Sequence, residues 1–246
     1  MINAPMLYEG KAKRIYETEE QDVLLIEYKD DATAYNGKKK EVIAGKGKLN
    51  NDISAMIFAA LATAGVKSHF IEKTGELTQK VRRVEIVPLE VVVRNVTAGS
   101  LAKRLGINEG EDINPAIVEF YYKDDALDDP LITEDHIRLL SLANQEDLET
   151  MKSAALQVND QLTALFAECG IQLVDFKLEF GRTKDGQLLL ADEVSPDTCR
   201  LWDMKTKERL DKDVFRRDLG TLTTAYEEIA SRLLQRQTTT EGRENQ

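Results

Sequence analysis

Cysteine is scarce in the 246-residue sequence. With only Cys169 and Cys199, neither a disulfide framework nor a thiolate zinc cluster has enough members, so core or site-lining thiols are the simpler reading. Histidine is equally rare. His69 and His136 lack ligand-spaced companions, and no Ser-His-Asp triad can be argued. Long apolar runs are missing: Met56–Ala62 and Leu188–Ala191 fall far short of the roughly 20 residues a membrane-spanning helix needs. Met1–Met6 has no basic region leading into an apolar segment, so no secretory signal is visible and a cytoplasmic location is expected. Positive charge is deficient too. The 33 Lys+Arg against 44 Asp+Glu leave −11, which disfavours adhesion to nucleic acid through phosphate contacts. The remainder, 42% apolar and 31% charged, is enough for a full core in one large domain or two small ones.

The chain alternates strand-like and helix-like stretches. Leu7–Tyr16 and Val23–Tyr28 suit strands joined by a turn at 17–22, and Lys29–Lys48, with its glycines and the lysines 38, 39, 40, 46 and 48, reads as a mobile loop. Asn50 or Asn51 can cap a helix that ends near Gly65, and Val66–Lys73 looks like a strand. Two extended segments flank Pro88. Thr97 is placed to cap a short helix, Gly99–Leu105, closed by Gly106, and Ile117–Tyr122 is strand-like before an acidic loop at 123–130. Asn144–Glu168 keeps helical spacing and is followed by Gly170. Then comes a hairpin, Ile171–Gly181 with Gln187–Val194, turned at 183–186, and a last helix from Asp213 to Leu234 before a polar tail at 235–246 that should fray. Hairpin-like strands interrupted by helices favour α+β over a doubly wound parallel sheet. A division near Pro88 predicts a small N-terminal lobe, 1–88, and a larger one, 89–234.

Four places stand out chemically. Lys11 and Lys13, two apart on a strand beside Gly10, suit a polyphosphate; the alternative is a solvated strand face. Arg94 ends a run of valines just before a predicted helix start at Thr97–Ser100, so a phosphate monoester pocket and a salt bridge to an acidic neighbour are both open. In Val174–Gly181, Asp175, Lys177 and Glu179 share a face; if opposed residues sum to 369, Asp192 lies across from Lys177 and beside Glu179. Two carboxylates with a lysine between them could seat Mg²⁺ and phosphate, or form an exposed ion-pair ladder. Finally, the polar stretch 193–203 holds Arg200, a second phosphate candidate unless Asp197 or Asp203 holds it on the surface.

The words GKAKR, VVVRNVTAGSLAKRLG, VDFKLEFG and DEVSPDTCRLWD, in this order and spacing, resemble the phosphoribosylaminoimidazole-succinocarboxamide synthase, or SAICAR synthetase, family, from about Leu7 to Leu234. The resemblance implies a two-lobed fold related to ATP-grasp and kinase folds, with nucleotide held between the lobes. It also implies an ATP-dependent purine-biosynthesis ligase that joins L-aspartate to the carboxylate of carboxyaminoimidazole ribonucleotide, and suggests a homodimer. Carried over by motif, Lys11 and Lys13 go to the ATP phosphates and Glu179 and Asp192 to Mg²⁺. Arg94, Ser100 and Arg200 go to the ribonucleotide phosphate, Lys177 and Asp129 to the neighbourhood of the reacting carboxylate, and Lys212 to substrate. Thr198-Cys199 stands where some members of the family carry Gly-Ser.

A carboxylate is a poor acyl donor, so an acyl phosphate intermediate is expected, with positioning and charge neutralisation as the enzyme's main work. Asp175 is a candidate to take the proton from the attacking ammonium. Two rivals remain: a small-molecule kinase on a similar scaffold, and a nucleic-acid-binding module built on Lys38–Lys48, which the net charge opposes.

Overall fold

The computed structural model describes residues 2, 4–34 and 37–244, the last six as backbone only. Its strands β1 (Met6–Glu9), β2 (Lys13–Glu17), β3 (Val23–Tyr28), β6 (Phe70–Lys73) and β7 (Thr78–Arg82) form one sheet in the order β1-β2-β3-β7-β6. Between them lie a small hairpin, β4 (Asp31–Ala34) with β5 (Lys39–Val42), and helix α1 (Lys46–Thr63). The second sheet contains β8 (Glu85–Val96), β9 (Asp112–Tyr122), β10 (Leu131–Ile132), β11 (Ile171–Arg182), β12 (Leu188–Ala191) and β13 (Cys199–Asp203). Helices α2 (Gly99–Leu105), α3 (Glu134–Leu139), α4 (Gln145–Glu168), α5 (Asp213–Arg216) and α6 (Leu222–Glu244) complete the fold. All pairings between these strands are antiparallel, as α+β requires. No helix among the described residues is long and apolar enough to cross a membrane.

The central strand is β11. One edge pairs with β8 along most of its length, while the other is divided between β13 at its start and β12 at its end. Phe176, Leu178 and Phe180 are buried in the main core with α4 residues Met151, Val158 and Leu162. The same core takes Ile53, Ile57 and Phe58 of α1 and Tyr226 and Ile229 of α6, so α1 packs with the large sheet's helices although it precedes Pro88 in sequence. The first sheet has its own small cluster of Leu24, Ile26, Tyr28 and Val81.

Local signals in the sequence match the structure where they are purely local. Asn144 caps α4 in a reciprocal box with Asp147, and Gly106 and Gly170 follow α2 and α4 in left-handed conformations. Other expectations need correction. The segment 7–16 is two strands, because the Gly10 N–H donates to the Lys13 carbonyl and closes a bend at Lys11 and Ala12. The supposed loop 29–48 holds the β4–β5 hairpin and the first turn of α1, residues 35 and 36 lying outside the described residues. That helix starts at Lys46 after its cap Gly45, which stands five residues before Asn50 and six before Asn51, the expected caps; both asparagines are buried inside it. Ala98, not Thr97, precedes α2, and the Thr97 hydroxyl donates to the Asn108 carbonyl instead. Pro88 lies within β8; the chain leaves the first sheet after Arg82 and enters the second at Glu85. The loop-like stretch after Thr198 is strand β13, and the last helix is two, α5 and α6, the second running through Glu244 with residues 245 and 246 outside the description.

Candidate active site

Three adjacent strands present one polar face. Glu90 and Arg94 of β8 stand opposite Glu179 and Asp175 of β11, while Glu119 and Tyr121 of β9 lie alongside. Strand alternation sends Asp175, Lys177 and Glu179 to this face and their neighbours to the core, as the sequence predicts. The β11–β12 register differs by one from the expected sum: Glu179 pairs with Ala191 and Phe180 with Leu190. Asp192 follows the end of β12 with φ of 59°, and this left-handed turn brings its carboxylate to the Lys177 face despite the register.

Two adjoining cavities open on this face. The first, of about 510 Å³, is lined by Arg94, Ser100, Tyr121, Asp175 and Arg200. The second, of about 540 Å³, combines an apolar wall of Ile15, Leu24, Ile26 and Val81 with Lys13, Asp192 and Glu179. Lys11, Glu90, Asp129, Lys177, Asp197 and Lys212 line both.

In the first cavity Arg94 is almost fully buried and makes four side-chain hydrogen bonds. Its Nε donates to Glu119 at 2.7 Å, Nη1 to Asp175 at 2.8 Å, and Nη2 to Ser100 Oγ at 3.1 Å and to the Tyr121 hydroxyl at 3.0 Å. A salt bridge and a place in the pocket are therefore both true of it. Arg200 Nη1 donates to Asp175 Oδ2 at 2.9 Å and its Nε to Asp213 at 3.1 Å, so its partners are not Asp197 or Asp203. Asp175 thus holds two guanidinium groups and anchors both. The buried Cys199 thiol is pushed well up by burial and stays unionised. The first backbone N–H of α2, from Gly99, goes to Glu109 Oε1 at 2.9 Å.

In the second cavity Lys13 pairs with Asp192 and, at 3.1 Å, with Glu193. Lys11 lies on the bend rather than on the same strand, and reaches Asp125 at 2.7 Å. Lys177 Nζ is 2.5 Å from Glu179 Oε1, 3.3 Å from Glu90 and 3.6 Å from Asp192, and Lys123 also reaches Glu179 at 3.0 Å. Burial pulls the Lys177 ammonium down, but Glu179, Asp192 and Glu90 outweigh it and hold its pKa well above the ordinary lysine value. Burial likewise pushes Asp192 up, and Lys13 and Lys177 overcome it, keeping the carboxyl well below the usual range. At the shared wall, Asp129 accepts from the Asp124 N–H at 2.9 Å. Asp197 receives Lys46 at 2.7 Å, Lys212 at 3.3 Å and the Tyr226 hydroxyl at 2.5 Å. Burial, reinforced by Lys46 and Arg216, holds Lys212 below the ordinary lysine value although Asp197 opposes it.

All the residues singled out from sequence line one or both cavities. Sequence reasoning misses Glu90, Lys46, Lys123, Glu193 and Asp197. A signal existed for Glu90, a lone carboxylate inside an apolar strand; Lys46 had none, since it sits among lysines that are mostly exposed. Among the described residues no group of three or more His, Cys, Asp or Glu could hold a metal ion by itself.

Residues 6–233 match the family described as SAICAR synthetase. A phosphoribosylaminoimidazole-succinocarboxamide synthase from Shouchella clausii is 62% identical over 233 residues, covering 95% of this chain and 98% of the relative. The crystal structure of the synthase from Ehrlichia chaffeensis superposes with a TM-score of 0.91 at 44% identity, covering 93% of this chain and 98% of the other. A SAICAR synthetase solved in complex with ADP superposes with a TM-score of 0.90 at 49% identity, covering 93% of this chain and 97% of that one. With a match over nearly its whole length and a fold shared with solved members, the chain belongs to the SAICAR synthetase family.

Proposed function

We propose that the protein is a cytoplasmic ligase of purine biosynthesis. It joins L-aspartate to the carboxylate of carboxyaminoimidazole ribonucleotide, with ATP cleaved to ADP and phosphate. The observation that carries this reading is the wall of Lys11, Glu90, Asp129, Lys177, Asp197 and Lys212 shared by two cavities of different character. The apolar wall of the second suits an adenine ring, with Lys11 and Lys13 toward its phosphates, in an ATP-grasp-like arrangement between a small and a larger lobe. Arg94, Ser100 and Arg200 in the first suit a ribonucleotide phosphate monoester, with Lys212 beside them. The reacting carboxylate would then face the γ-phosphate across the shared wall. The ADP complex of a relative supports the nucleotide half of this assignment.

The donor set fits magnesium brought with the nucleotide. Glu179 and Asp192 would supply two oxygen ligands, and no group of three or more gathers among the described residues, which suits an ion that takes its other ligands from phosphate and water. When bound, that ion would add charge neutralisation at the phosphoryl oxygens. The chain's own residues hold the reactants. Lys11, Lys13 and Lys177 offset charge on the transferring phosphoryl group, and Lys177 and Asp129 stand where the ribonucleotide carboxylate would lie. Phosphorylation makes one carboxylate oxygen part of a phosphate leaving group. The neutral amine of aspartate attacks the acyl carbon, the acyl C–O bond breaks, phosphate leaves with its electron pair, and the nitrogen gives up a proton. Asp175 serves this scheme by fixing Arg94 and Arg200.

ADP release is measured with ATP and the ribonucleotide, with and without L-aspartate. Stoichiometric amide product only when all three are present supports the ligase. A stable phosphorylated ribonucleotide accumulating without aspartate would replace it by a kinase.

A further inference from the structure

We propose that His69 is a positioning residue that holds Asp192 in its left-handed turn and thereby aims the Asp192 carboxylate into the nucleotide cavity. The inference rests on the assignment of Asp192 to the nucleotide's metal. Continuing the β11–β12 register by one residue would set Asp192 opposite Leu178, which is buried in the core. A regular strand would therefore point the carboxylate into apolar side chains. Instead, φ of 59° at Asp192 turns it toward Lys13 and Lys177. An L-residue adopts this conformation at a cost, so something must keep it there.

His69 is placed to do so. Its ring is buried, with Nε2 3.1 Å from the Asp192 carbonyl oxygen. A carbonyl only accepts, so Nε2 carries the proton. The residue is itself held on both sides: its N–H donates to the Leu190 carbonyl at 2.7 Å and its carbonyl accepts from the Arg82 N–H at 2.7 Å. Ser68 forms a parallel bridge with Leu190, and the His69 ring packs against Phe58, with centroids 5.8 Å apart. The contact therefore joins β12 of the large sheet to β7 of the small one, beside the cavity lined by Asp192, His69 itself and Val81 of β7.

The test compares His69→Gln, whose amide can donate, with His69→Met, which fills similar space without a donor. Affinity for ADP is measured by calorimetry in magnesium and in EDTA, alongside thermal unfolding, with Asp192→Asn as the reference. His69→Met should weaken MgADP binding about 10- to 100-fold, leave ADP binding in EDTA within about threefold, and resemble Asp192→Asn; His69→Gln should bind nearly as the wild type does. Equal losses in His69→Met and His69→Gln would overturn the inference, because the donor would then be irrelevant. Wild-type MgADP binding by His69→Met beside weakened binding by Asp192→Asn would overturn it and leave the metal assignment standing. Wild-type binding by Asp192→Asn would overturn both. Should His69→Met not fold, His69→Gln decides alone: retained magnesium-dependent affinity supports the role, and its loss removes it.

Discussion

Lys46 Nζ lies 2.7 Å from Asp197 Oδ2, and the lysine side chain is entirely buried. The pair fastens the first turn of α1 to the 193–198 loop, which lines both cavities at Asp197 and Thr198. Removing one member leaves a buried charge short of a partner. Lys46→Met should therefore lower the unfolding free energy by about 3 kcal/mol, read from denaturant titration. Lys48→Met, at an exposed pair with Asp52, should change it by less than about 0.5 kcal/mol. Equal effects would show that burial does not decide the value of these ion pairs.

Glu179→Gln and Asp192→Asn each keep the shape of the side chain and remove its charge. Each should lower kcat at least about a hundredfold while circular dichroism stays unchanged. Near-normal turnover in both would remove these carboxylates from the nucleotide site.

The phosphate pocket is better tested at Ser100 and Gly99 than at Arg94. Arg94→Ala would leave the buried Asp175 and Glu119 each one cation short, with Arg200 and Arg104 as their remaining partners, and destabilise the fold by about 3 kcal/mol, which confounds any kinetic reading. Ser100→Ala removes one neutral hydrogen-bonding group, worth about 1 kcal/mol, so KM for the ribonucleotide should rise about fivefold with KM for ATP unchanged. Gly99 has φ of 54°, and an added Cβ would collide with the Arg200 guanidinium, which Asp175 and Asp213 tether. Gly99→Ala should thus raise the same KM further than Ser100→Ala does.

Asp211 is wholly buried and accepts from the Leu201 and Asp213 N–H groups at 2.8 and 2.7 Å, clipping β13 to the start of α5. Burial, with Asp213 beside it, pushes its carboxyl up to about 7. Above a pH of about 4 the unfolded chain releases this proton while the folded chain keeps it. The stabilising contribution is therefore complete below that pH and is lost as pH rises through about 7, a change on the order of a few kcal/mol. Denaturant midpoints at pH 5 and pH 8 should fall in the wild type and differ less in Asp211→Asn; the same slope in both would place the titration elsewhere.

Much of the candidate site is legible in the sequence because alternation along one strand is a local property. Asp175, Lys177 and Glu179 share a face whatever β11 pairs with, and Arg94 stands out among valines because a guanidinium there needs an anion. The register with β12 is not legible to one residue, since it depends on how the turn at 183–186 closes. The right neighbour for Lys177 emerges from the wrong register only because Asp192 leaves the strand by a left-handed turn.

The sequence by itself determined the antiparallel character of the fold, the caps of α4, the glycine endings of α2 and α4, and the polar face of β11, all of which arise from interactions within a few residues. The tertiary structure alone decided which charges meet. Lys13 with Asp192 and Lys46 with Asp197 are each separated by about 150 residues or more, and Arg94 reaches Asp175 from 81 residues away. Such pairs form where packed layers bring strand ends and helix starts together, and desolvation there rewards only the opposite charge that the packing happens to place within reach.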